Sequence, residues 1–355
     1  MSLFFTPLRP TYAAALRDVE AIDAKMRAAA AERLGDPRGS EELVDARDRA
    51  VAGLIKLGDD TDASVRTMAL SSLGKLRDPR GLELCLARFA DGEGSVREAA
   101  VMAAGEIGGE RAREALRKAL GHERPDVRFQ AVAAYAQVAG EDARAAVSVA
   151  LGDEDPLVRA SAIESLTTLG PSADACTRIA RLLSDRDEGV ADEAAIALGQ
   201  LGDRRAIARL VALSSGPRGF EAMAALGDLR ATEAADALDR LAGAFLKPLL
   251  VKAAAATALI RIGDPRGEAH FDHVFDAFRG EARTYCVEVI GELRLARYAE
   301  ALVRMIDRPR GAEPAAIVRA LSRLADGSPI AKDAFEGLLT RTDVLGGLAR
   351  ELRGS

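Results

Sequence analysis

Read for its apolar positions, the chain repeats a marker every 31 residues: Val-Arg pairs stand at Val65-Arg66, Val96-Arg97, Val127-Arg128 and Val158-Arg159. The marker continues less regularly through Val190, Phe220, Val251 and Ala282 and returns at Val318-Arg319. After each marker, apolar residues recur at intervals of three and four, as in Ala69, Leu73 and Leu76 or Ala162, Leu166 and Leu169. Such intervals lie on one face of an α-helix. A turn follows, spelled out in Gly35-Asp36-Pro37-Arg38, Arg77-Asp78-Pro79-Arg80, Gly202-Asp203-Arg204-Arg205 and Gly263-Asp264-Pro265-Arg266. Gly suits the left-handed position that ends a helix, Asp accepts orphan N–H bonds at the next start, and Pro is pre-set for the first helical position. A second short helix is predicted over 82–89, 112–120, 175–183 and 207–213.

Each unit is therefore an αα-hairpin of about 30 residues, too small to bury its apolar face alone, and neighbours must stack into one continuous core. The expected fold is an all-α solenoid, a right-handed superhelix of about ten hairpins. Regularity divides the chain into an N-terminal segment and divergent capping repeat (1–60), regular repeats (61–294) and divergent C-terminal repeats with a cap (295–355).

Composition narrows the core and the function classes. Apolar residues make up 48% of the chain but aromatics only 4%, with no Trp, so the core is predicted to be Ala, Leu, Val and Ile. A net charge of −6 and a pI near 5.4 argue against a protein that coats nucleic acid. Cys85, Cys176 and Cys286 are far apart and flanked by helix-period apolar residues, and read as small core residues in a reducing compartment. Met1 to Tyr12 contains Leu3, Phe4, Phe5 and Leu8 but no basic n-region, so it is not read as a signal peptide. No apolar run is long enough to span a membrane, and a cytoplasmic location is the expectation.

The pattern Asp155-Pro156-Leu157-Val158-Arg159, closed by Leu169-Gly170, together with Gly263-Asp264-Pro265-Arg266-Gly267, resembles the short HEAT-like repeats named after phycobilisome lyase subunits. The resemblance covers about residues 60 to 295 and implies architecture, because the same repeat serves bilin lyases, a di-iron hydroxylase and many scaffolds.

Catalytic and metal readings find little to build on. His270 and His273, with Glu268, Asp272 and Asp276, have ligand chemistry, but Phe271, Val274, Phe275 and Phe278 define that helix's buried stripe and leave the histidines beside it. Only one His-Glu pair, His122-Glu123, matches the hydroxylase pattern, and Gly105, Gly108 and Gly109 have the wrong spacing for a phosphate loop. No cofactor or metal is expected.

The remaining candidates are arginines and acids. Arg66, Arg97, Arg128 and Arg159 form a ladder, and Asp62 and Asp155, four residues before Arg66 and Arg159, are predicted to pair with them as structural ties. The acidic turns before each Val-Arg helix are predicted to stabilise helix N-termini. Arg113, Arg117, Arg144, Arg178, Arg181, Arg205 and Arg209 lie off the apolar stripes of the second helices. With those helices taken as the concave side, they are the candidate surface for an acidic helix or peptide of a protein partner. The expected function is a non-catalytic adaptor. The alternatives are a bilin lyase or isomerase-like subunit, implied by the resemblance alone, and an arginine-lined cradle for nucleic acid.

Overall fold

The computed structural model describes residues 10–36, 45–277 and 280–354, and among them the regular structure is all helical, with no strand. Leu3, Phe4, Phe5 and Leu8, Pro37 and Arg38 of the first turn, and Phe278 lie outside the described residues. The chain is an all-α solenoid of stacked hairpins that divides into two compact units, Met1–Ala197 and Leu198–Ser355.

The first unit contains α1 (Tyr12–Asp18), α2 (Ala24–Leu34), α3 (Ala46–Leu57), α4 (Ala63–Leu76), α5 (Leu82–Ala87), α6 (Gly94–Ile107), α7 (Gly109–Ala119), α8 (Pro125–Ala139), α9 (Arg144–Ala150), α10 (Pro156–Thr168) and α11 (Ala173–Arg181). After α12 (Glu188–Gln200), the second unit runs through α13 (Ile207–Leu213), α14 (Gly219–Asp228), α15 (Ala235–Gly243), α16 (Leu249–Ile262), α17 (Arg266–Asp276), α18 (Gly280–Glu292), α19 (Ala299–Met305), α20 (Pro314–Leu324), α21 (Pro329–Leu339) and α22 (Val344–Gly354).

The predicted turn chemistry is present at two of the four turns, while Gly35 ends α2 in the right-handed region at φ −77°. Gly202 and Gly263 take φ of 81° and 88°, as a left-handed helix end requires. At the turn without a glycine, Arg77 itself adopts φ 49°, and Arg230, Arg294 and Arg310 do the same elsewhere. For a residue with a Cβ this conformation costs about 1–2 kcal/mol.

The Val-Arg helices and the second helices form two unlike rows. In the first unit, α4, α6, α8 and α10 pack along their lengths, whereas α5, α7, α9 and α11 barely touch one another. Small residues allow the close approach: a Cβ on Gly105 of α6 would stand 3.1 Å from that of Ala134 on α8, and one on Gly74 only 3.0 Å from the Cα of Ala103. A two-row stack bends toward the row with the closer spacing. In the first unit the Val-Arg row is therefore the inner one, which reverses the placing of the second helices on the concave side. In the second unit the same seam brings Gly227 against Ala258 and Gly291 against Ala320. Its core adds the aromatic group Phe271, Phe275 and Tyr298, with ring centroids 5.7 and 5.3 Å from Tyr298.

Candidate binding surfaces

The Val-Arg arginines leave their own hairpin and reach the next. Arg66 donates through Nε and Nη2 to Asp91 at 3.0 and 2.8 Å, Arg128 to Asp153 at 2.8 and 2.8 Å, and Arg159 to Asp185 at 2.9 and 2.6 Å. In each case Nη1 turns back to two carbonyls of the turn before its own helix: Asp60 and Thr61 for Arg66, His122 and Glu123 for Arg128, Asp153 and Glu154 for Arg159. One guanidinium thus locks two successive turns. Arg97 holds the Asp91 and Gly92 carbonyls in the same way, but the residue 25 positions on is His122, so its fork takes Asp126 instead. Arg27, absent from the predicted ladder, makes the same fork to Asp60 at 2.6 and 2.8 Å, with Nη1 on the Ala21 and Ile22 carbonyls.

The acceptors are fixed from a second side by backbone N–H groups two residues on: Asp62 to Asp60, Glu93 to Asp91, Asp155 to Asp153 and Asp187 to Asp185, at 2.8–3.0 Å. This explains why Asp62 and Asp155 do not pair with Arg66 and Arg159. Each is the N-cap of its helix, and its carboxylate accepts from the N–H groups of Ser64 and Val65 or of Leu157 and Val158. The two acids of each turn have divided the work, one capping and one bridging. The Arg27 fork holds the Asp60 carboxyl below the usual carboxylate range. Burial pushes Asp91, Asp153 and Asp185 upward, but the arginine fork and the backbone N–H outweigh it and leave them lowered too.

The seven second-helix arginines do not form one open cationic surface. Arg113 pairs with Asp142 at 2.7 Å, Arg178 with Asp174 at 2.8 Å and Arg205 with Asp203 at 2.9 Å. Arg144 donates to the carbonyls of Leu169 and Gly170 at 2.8 and 3.1 Å, closing the C-terminus of α10, and also holds Glu141. Arg209 is engaged as well. Arg117 and Arg181 are exposed and make no ion pair among the described residues. Arg205 and Arg209 belong to the second unit, the other five to the first.

The inner row of the first unit carries a groove that the sequence reading missed. It has a volume of about 450 Å³ and lies over the N-terminal halves of α6, α8 and α10, lined by Phe129, Gln130, Pro125, Leu157, Glu98, Asp126 and Asp155. Every charged side chain on its wall is a carboxylate. Leu157 is 64% exposed, and Met102, one turn along α6 from Glu98, is 49% exposed. The signal available beforehand was Leu157 itself, an apolar residue at an N-terminal position that the helix's buried stripe does not use.

His270 Nε2 lies 2.8 Å from Asp239 Oδ1, a pair that ties α17 to α15, and no group of three metal-ligating side chains comes together among the described residues. Cys85, Cys176 and Cys286 are buried as free thiols, and burial pushes Cys85 and Cys286 up to about 12. No described helix is long and apolar enough to cross a membrane.

Comparison with known proteins agrees with this architecture. Residues 82–166 and 144–219 match the family model for HEAT repeats, so this stretch carries HEAT repeats. The Escherichia coli protein YibA aligns with a TM-score of 0.52 at 18% identity, over 70% of this chain and 91% of its own. A chain of the Kap95p–RanGDP complex gives 0.53 at 13% identity over 97% of this chain, which spans only 52% of that one. The CpcE–CpcF complex of phycocyanin lyase from Nostoc sp. PCC7120 aligns at 22% identity over 77% of this chain and 99% of its own, with a TM-score of 0.35, too low to establish a common fold. At these identities the likenesses establish the fold alone. The sequence matches none of the curated proteins.

Proposed function

We propose that the chain is a non-catalytic binding scaffold whose first unit holds a cationic, apolar segment of a protein partner on its inner row. The observation that carries this reading is the groove over α6, α8 and α10, where Phe129 and Leu157 stand among carboxylates with no basic side chain on the wall. Covering exposed apolar side chains gains about 25 cal/mol per Å². The carboxylates select the sign of what covers them. Asp126 is already paired with Arg97 and Asp155 caps its helix, so Glu98, with no ion pair among the described residues, is the acid best placed to meet a partner's Lys or Arg. The fold is suited to such work: Kap95p, which shares it, binds RanGDP. A second reading keeps the acidic partner expected for the second helices and rests on Arg117 and Arg181, both exposed.

Two synthetic amphipathic peptides with the same Leu and Phe pattern, one bearing lysines and the other glutamates, separate the readings by fluorescence anisotropy against the full chain. The lysine peptide is expected to bind, to weaken with salt, and to lose about tenfold in affinity, or about 1.4 kcal/mol, with Leu157→Asp or Glu98→Lys. These are exposed positions, where folding changes by within about 0.5 kcal/mol. Selective binding of the glutamate peptide, lost on changing Arg117 and Arg181 to Glu, transfers recognition to the second-helix row. If neither peptide binds, both surfaces are overturned.

A further inference from the structure

The ladder position of α18 is occupied by Arg283, but its rung closes differently. In the first unit the acceptor stands 25 residues after the arginine for Arg66 and Arg128, at Asp91 and Asp153, and 26 after Arg159, at Asp185. Twenty-five residues after Arg283 stands Arg308, within Asp307-Arg308-Pro309-Arg310. The one acid of that turn, Asp307, accepts from Arg341 at 2.9 Å. Arg283, only 4% exposed, donates instead to the carbonyls of Phe275, Arg310 and Asp276 at 2.8, 2.7 and 2.9 Å.

Beside it lies a cavity of about 340 Å³, floored by Phe275 and Met305 and walled, among the described residues, by Arg283, Arg304, Arg308 and Arg310 with one carboxylate, Asp276. Four guanidinium groups around one small volume repel one another, most strongly where Arg283 is buried. Arg283 registers it: burial, then the like charge of Arg310, hold it below the ordinary arginine value. Arg304 has Glu300 only at 3.6 Å, with both side chains largely exposed, a weak pairing. Arg310 is held in the left-handed region at φ 49°, so that its carbonyl meets Arg283 while its side chain stays on the cavity wall.

We propose that this cavity binds a phosphate-class oxyanion between the arginines of the turn that stands where the first unit has an acidic one. Arg308 and Arg310 are the binding residues, with Arg304 at the rim and Arg283 fixing the turn from beneath. Planar guanidinium forks match the oxygen spacing of phosphate, and several forks converging on a partly enclosed volume favour a dianion over chloride. The same chemistry is offered by free phosphate and by a phosphorylated side chain of a partner. The site is independent of the first-unit groove.

The test uses the full chain, with thermal unfolding in sodium phosphate against sodium chloride at equal ionic strength. Phosphate is expected to raise the Tm progressively, as a ligand bound only by the folded state does. The double variant Arg308→Gln with Arg310→Asn is expected to fold, since Asn tolerates the left-handed conformation, and to lose the phosphate response. Arg308→Asp is expected to raise the Tm in chloride and abolish the response, an internal carboxylate having replaced the external anion. In a second arm, a phosphoserine peptide that binds at least tenfold more tightly than inorganic phosphate, while its serine twin does not bind, assigns the anion to a phosphorylated partner; equal or weaker binding assigns it to a free phosphate. Absence of a phosphate effect on the wild type, or an undiminished effect on the double variant, overturns the proposal.

Discussion

The two units stack the same hairpin with different ties. In the first, Arg27, Arg66, Arg97, Arg128 and Arg159 reach across each junction in turn, and the last pair is nearly sealed, with side-chain exposures of 5% for Arg159 and 7% for Asp185. In the second, the equivalent positions are Glu221, Lys252, Arg283 and Arg319. Ties there move outward: Arg204 to Glu233, Arg266 to Asp236 and Asp239, Arg341 to Asp307, with Arg261 spanning Asp228 and Glu292. The aromatic group around Tyr298 adds ring contacts to this unit's core. A helical repeat therefore leaves its tie open to choice. A buried fork fixes the register of one turn on the next, because a misaligned hairpin strands a charge. An exposed bridge imposes no such penalty, and its position can be given over to other work, as at Arg308.

The comparison breaks most visibly at the buried rung. Arg159→Ala leaves the Asp185 carboxylate buried with its fork removed, and is expected to cost about 3–5 kcal/mol in denaturant unfolding, against at most about 1 kcal/mol for Arg204→Ala, whose pair with Glu233 is half exposed. Equal losses would erase the distinction between the units. The seam gives a smaller contrast. A Cβ added at Gly291 meets the Cα of Ala320 at 2.8 Å, so Gly291→Ala is expected to cost about 1–3 kcal/mol. At Gly105 the nearest atom is the Ala134 Cβ at 3.1 Å, and the gain in helix propensity of about 1 kcal/mol brings Gly105→Ala close to neutral in the same assay.

The smallest effect is read from pH. Asp91, Asp153 and Asp185 titrate in the folded chain below their unfolded value of about 3.9, so they contribute stability above that pH and lose it as pH falls toward their folded values. Asp153→Asn removes one such proton, and unfolding free energy is expected to fall less steeply with acid below about pH 4, by at most about 1.4 kcal/mol per pH unit. An unchanged slope would mean that Asp153 does not contribute through its charge.

The period, the turns and the ladder arginines are legible in the sequence because each is a local pattern repeated along one helix. The partners are not. Four-residue spacing points Arg66 at Asp62, but Asp62 is committed to the N–H groups of its own first turn, and the acceptor 25 residues on is adjacent only after stacking. Arg27 escapes notice because Met26 stands where the marker has Val and the step to Arg66 is 39 residues. Which row is inner is also invisible to periodicity, since both rows have the same apolar spacing; it follows from the Gly and Ala contacts between helices far apart in the chain. The arginine cavity left one trace, the replacement of an acidic turn by Arg308-Pro309-Arg310.

The central claim, that buried Arg-Asp forks tie the first unit together, is tested most directly by a double-mutant cycle on Arg159 and Asp185, with Ala at each position and unfolding free energies measured for all four proteins. The account predicts a coupling of at least about 2 kcal/mol, because each single change strands a buried partner that the double change removes. A coupling below about 0.5 kcal/mol, within the error of additivity, would contradict it and place the junction's stability in the apolar seam alone.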